Sequence, residues 1–75
     1  MSENDRDKFV RLANKRVNKA VNAIRLIGNL SNRSNYSFTE QDVEKIFRAL
    51  HAELKTSKQR FESESLQGKG LFQLE

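Results

Sequence analysis

The chain has no cysteine, no proline and no tryptophan, and it carries three glycines and one histidine in 75 residues. Without cysteine there is no disulfide, no thiolate-bound zinc and no cysteine-ligated iron–sulfur cluster. His51 alone does not make a metal site, so neither a metal nor a cofactor is expected. Without proline, and with glycine only at Gly28, Gly68 and Gly70, little interrupts a helix. No run of apolar residues approaches the ~20 that a membrane span requires. The opening residues 1–7 are charged and lack the apolar core of a signal peptide; a cytoplasmic location away from membranes is the expectation. One sign of charge is also missing from a long stretch: between Lys8 and Tyr36 there are seven basic residues and no acid.

What remains is rich in Lys, Arg, Glu, Gln, Leu and Ala, a composition that favours helix. A chain this short forms one domain and buries little of its own surface. Self-association or docking on a larger partner is the support left once disulfides and metals are excluded.

The apolar residues Val10, Ala13, Val17, Ala20, Ile24 and Ile27 follow alternating spacings of three and four, a heptad-like seam widened by Phe9, Leu12, Val21 and Leu30. This predicts a first helix over residues 5–30, capped by Ser2 or Asn4 with Asp5 and Asp7 complementing its dipole. Residues 31–38 have loop composition. Gly28 and the neighbouring asparagines tolerate positive φ and suit a helix stop, and Asn32, Ser34 and Asn35 suit Asx and hydroxyl turns. The second helix, over residues 39–61, announces itself with Thr39 at the cap, Asp42 at the capping-box position and a Phe38–Val43 hydrophobic staple. Val43, Ile46, Phe47, Leu50, Leu54 and Phe61 form its apolar face. Glu44 with Arg48, and Lys58 with Glu62, are spaced for pairing on the solvent side. Residues 62–75 read as a flexible tail, within which Leu71-Phe72-Gln73-Leu74 can serve as a short motif for a partner's sheet edge.

The expected fold is therefore all-α: residues 1–61 make an antiparallel two-helix hairpin that dimerises into a four-helix bundle, with a flexible C-terminal tail.

Catalysis finds no foothold in these residues. His51 has no cysteine for company, and its nearest acid, Glu53, points elsewhere on a helix; Glu40 and Glu44 are explained by the helix dipole. Gly68-Lys69-Gly70 lacks the rest of a phosphate loop. A non-enzymatic protein is expected.

The informative surface is the polar side of the first helix. Arg11, Lys15, Asn18, Lys19, Asn22, Arg25 and Asn29 recur at intervals of three and four, bordered by Asn14 and Arg16. Cations neutralise phosphates, and asparagine reads base edges or braces phosphates. The loop adds Arg33, Ser34, Asn35 and Tyr36, where tyrosine either stacks on an unpaired base or folds over the end of the core. Polar helix faces also exist for solubility alone. Six asparagines between positions 14 and 35, in a residue that is a mediocre helix former, exceed that need. Charge pattern leaves open whether the ligand is nucleic acid or an acidic protein surface. A basic amphipathic helix lying on a membrane is disfavoured because a second helix can take its apolar face.

The segment Ile24-Arg25-Leu26-Ile27-Gly28-Asn29-Leu30-Ser31-Asn32-Arg33-Ser34-Asn35-Tyr36, with Phe38-Thr39 and then Asp42, Val43, Ile46, Phe47 and Leu50 after it, resembles a pattern in small uncharacterised bacterial and mobile-element proteins. That resemblance covers residues 9–61 and implies a bacterial or phage setting and a helical hairpin. In form alone the design is similar to the ROP-type RNA-binding hairpin. Two functions are thus expected to compete: a regulator binding RNA or ribonucleoprotein, and an inhibitor or adaptor docking on an acidic surface of a host or defence protein.

Overall fold

The structure, a computed structural model, describes the backbone of residues 3–73 and the side chains of residues 3–64. The chain is all-α, with two long helices joined by a short 3-10 turn and a loop, and no strand among the described residues. It divides into two units between Ser37 and Phe38.

In the first unit α1 spans Asp5–Gly28. Asn4 caps it: its backbone is extended, and its Oδ1 accepts from the Asp7 N–H at 2.7 Å. Ser2, the other candidate cap, lies outside the described residues. Asp5 and Asp7 occupy the first turn and Arg25 the last, each at the end of the dipole that favours its charge.

The end of α1 differs from expectation. Neither Gly28 nor any asparagine takes a positive φ; among the described residues none does. Gly28 is helical at φ −60°, ψ −29°, and the chain tightens into a 3-10 turn over Asn29–Ser31. The Asn29 N–H turns back onto the carbonyls of Arg25 and Leu26, so last-turn acceptors are satisfied without a left-handed residue. The helix expected over residues 5–30 therefore stops at Gly28, and Leu30 belongs to the 3-10 turn. Asn32, at φ −74° and ψ 98°, breaks the spiral.

In the second unit α2 spans Glu40–Gln73. Its capping box is closed in both directions: the Asp42 N–H donates to Thr39 Oγ1 at 3.1 Å, and the Thr39 N–H donates to Asp42 Oδ2 at 2.8 Å. Phe38 and Val43, the expected staple, are both half-buried. The solvent-side pairs Glu44–Arg48 and Lys58–Glu62 do not close to ion-pair distance, and all four side chains are exposed; holding two long side chains in one geometry costs rotamer entropy that such pairs barely recover.

The helix end expected near Phe61 is displaced far along the chain, and residues 62–73, expected as a tail, continue α2. Residues 62–67 contain no breaker, and Gly68 and Gly70 cost only about 1 kcal/mol each relative to alanine. The backbone of residues 71–73 is helical rather than extended; the side chains of the Leu71–Leu74 motif lie outside the described residues.

Among residues 3–64 none is buried. Leu12, Ala13, Ile27, Phe38, Val43 and Leu50, all on the expected apolar faces or the staple, are the half-buried ones. Val17 is 59 % exposed, Leu54 69 % and Phe61 67 %. Each unit thus presents a hydrocarbon stripe to its surroundings. No helix among the described residues is long and apolar enough to cross a membrane.

Candidate nucleic-acid interface

Every candidate binding residue falls in the first unit. Arg11, Lys15, Asn18, Lys19, Asn22 and Arg25 are exposed on α1; Asn29 opens the 3-10 turn; Arg33, Asn35 and Tyr36 follow in the loop, all exposed. With 1.5 Å of rise per residue, Arg11 and Arg25 mark the ends of a surface ~21 Å long.

The loop is organised by Asn32. Its Oδ1 accepts from the Ser34 N–H at 3.1 Å and from the Ser34 hydroxyl, the Asx turn expected from composition. Its carbonyl accepts from the N–H groups of Asn35 at 3.1 Å and Tyr36 at 3.0 Å. The backbone that carries Asn35 and Tyr36 is fixed by these bonds, while the Tyr36 side chain stays 49 % exposed.

Three features escaped the sequence reading. First, Arg11 is not an unopposed cation. Glu3, upstream of the helix, takes it as a bidentate pair, Nε to Oε2 at 2.9 Å and Nη2 to Oε1 at 3.0 Å, and this hydrogen bonding raises the guanidinium pKa further. An acid-free stretch beginning at Lys8 gave no hint of a partner eight residues away. Second, Leu26 lies among the polar residues of α1 and is 58 % exposed; it follows Asn22 by one turn. Third, residues 11–22 are a threefold tetrapeptide repeat: Arg11-Leu12-Ala13-Asn14, Lys15-Arg16-Val17-Asn18, Lys19-Ala20-Val21-Asn22. The pattern cation, any residue, small apolar, asparagine repeats every four positions. Scanning for a period of four would have found it.

On a helix, residues four apart form continuous rows. The repeat therefore lays down a row of cations (Arg11, Lys15, Lys19), beside it a row of carboxamides (Asn14, Asn18, Asn22), and beside that a row of Ala13, Val17 and Val21. Asn14 and Asn18 each stand three residues from a cation on one side and three from a valine on the other, while Asn22 stands three from Lys19 and three from Arg25; these are neighbouring positions on a helix surface. Elsewhere on α1 the Arg6 guanidinium lies 5.9 Å from the centre of the Phe9 ring, at the outer limit of a cation–π contact.

Outside this face, His51 is exposed, residues 68–70 are part of α2, and among the described residues no group of three or more His, Cys, Asp or Glu is placed to hold a metal ion. No protein-family model, curated protein or solved structure matches the chain at a significant level.

Proposed function

We propose that the chain is a non-enzymatic, cytoplasmic binding protein whose α1 polar face takes the phosphate backbone of RNA, alone or in a ribonucleoprotein, and that it acts as a regulator through that contact. The observation that supports this reading is the exposed run of seven basic residues and no acid from Lys8 to Tyr36, interleaved with asparagine. One of its cations, Arg11, pairs with the carboxylate of Glu3. Such a face creates a positive field and offers amide donors and acceptors beside it.

The apolar stripes supply the scaffold. Isolated helices in water are marginal even at favourable length, whereas full burial of a Val, Leu, Ile or Phe side chain is worth ~1.5–3 kcal/mol. We infer that the stripes of α1 and α2 pair as an antiparallel hairpin and that two hairpins form a four-helix bundle. A single line of contact between two helices leaves apolar surface exposed on both, and a second copy covers it. Sedimentation equilibrium reads the dimer directly; a monomer at all concentrations rules it out.

The RNA reading is tested by retention of a labelled RNA pool at low ionic strength. Retention is expected, weakening steeply with salt, and the triple substitution Arg11→Glu, Lys15→Glu, Lys19→Glu is expected to abolish it. No retention by the parent protein ends this reading.

Leu26 favours a second reading, in which an inhibitor or adaptor from a phage or mobile element docks on an acidic protein surface. An exposed leucine among cations and amides has the make-up of an interface core with a polar rim. Capture of one stoichiometric protein, unaffected by nuclease and lost in Leu26→Asp, supports that alternative; capture of nucleic acid alone counts against it.

A further inference from the structure

We infer that the ligand of the α1 face is an unpaired, unstacked nucleic-acid strand lying along the helix, with one nucleotide engaged by each tetrapeptide repeat. This rests on the RNA reading above and specifies the form of RNA.

Periodicity comes first. The repeat advances four residues, or ~6 Å along the axis, and three units of one pattern in tandem fit a ligand that is itself a linear repeat. Stacked bases in a duplex succeed one another every ~3.4 Å, so amides ~6 Å apart cannot meet successive stacked bases. A strand whose bases have come apart can extend to match that pitch, and unstacked bases present the edges on which single-stranded RNA is read.

The second point is the chemistry across the rows. Phosphates flank both sides of either groove of a duplex, so a helix seated in a groove calls for cations on both of its flanks. Within the repeat the cations Arg11, Lys15 and Lys19 stand on one side of the amide row and Ala13, Val17 and Val21 on the other; Arg25, the next position of the apolar row, adds a single cation on that side where the repeat ends. An unpaired strand has the same one-sided order: charged backbone, then polar base edges, then apolar base faces. Beyond the repeat the amide row runs on through Leu26, 58 % exposed, and the chain ends its first unit near Tyr36, 49 % exposed. Both are surfaces on which a freed base can pack.

The assignment divides the labour. The cation row sets affinity and its salt dependence, and the amide row sets the preference for unpaired over paired RNA. The test compares, by fluorescence anisotropy at low salt, a labelled oligouridylate of about twelve nucleotides, within the range of single-strand site sizes, with a mixed-sequence RNA duplex of the same length. The full chain and its variant Asn14→Ala, Asn18→Ala, Asn22→Ala are used. Alanine is the better helix former, so the variant keeps its helix, which circular dichroism verifies. The parent is expected to bind the oligouridylate at least about tenfold more tightly than the duplex, and the variant to lose that preference while still binding weakly. Equal or tighter duplex binding, or a variant that keeps the preference, overturns the inference and leaves the RNA reading standing. Binding of neither RNA by the parent overturns both.

Discussion

Replacing Lys15 and Lys19 together by glutamine removes two of the four cations among the candidate binding residues of α1, leaving Arg11 and Arg25. Charge is lost, but length and helix propensity are nearly kept. If each cation neutralises one phosphate of an unpaired strand, the parent has about four contacts and a log K versus log salt slope of about −2.8, and the variant about two contacts and a slope of about −1.4. Between about 50 and 200 mM salt, the parent's affinity then falls about 50-fold and the variant's about sevenfold. Anisotropy titrations of labelled oligouridylate across that range read both slopes per protomer. A variant slope equal to the parent's would mean that Lys15 and Lys19 do not face the strand. A parent slope near zero would remove phosphate contact from the explanation altogether.

Glu3→Gln frees Arg11 from the carboxylate that now holds it, so RNA affinity is expected to rise by less than about fivefold, as befits an exposed pair; an unchanged affinity in salt titrations would show that Arg11 takes no part. Gly28 is helical, and a methyl group added there meets nothing within 4 Å, so Gly28→Ala is expected to increase helical content and to stabilise α1 by about 1 kcal/mol; a loss of helicity by circular dichroism would contradict it. Thr39→Ala removes the acceptor of the Asp42 N–H and is expected to cost about 1 kcal/mol. Faster amide exchange at residues 40–43 is the readout, and unchanged exchange would show that the cap is dispensable.

The starts of both helices were legible because capping is local chemistry. Asn4 and the Thr39–Asp42 pair bond to N–H groups three residues away, and the letters alone specify that reach. The ends were less so. Glycine and asparagine permit a left-handed stop but do not compel one, and at Gly28 and Asn29 a 3-10 turn closes the carbonyls instead. Gly68 and Gly70 weaken a helix without ending it, so α2 continues to Gln73. The polar face of α1 was grouped by spacing; its residues are exposed, as are most residues of the helix. Two things did not follow. The Glu3–Arg11 pair joins a residue outside the helix to one inside it, beyond the reach of spacing rules for helix faces. The tetrapeptide repeat was hidden because sorting residues by face merges the cation and amide rows that a period of four keeps apart.

The most direct measurement is nitrogen–proton NMR of the uniformly labelled chain during titration with oligouridylate at low salt. The side-chain NH₂ signals of Asn14, Asn18 and Asn22 should shift together, with backbone shifts confined to residues 11–36 and α2 quiet on its solvent side. Shifts concentrated on α2, or asparagine side-chain signals that stay in place while RNA binds, would contradict a strand lying along α1.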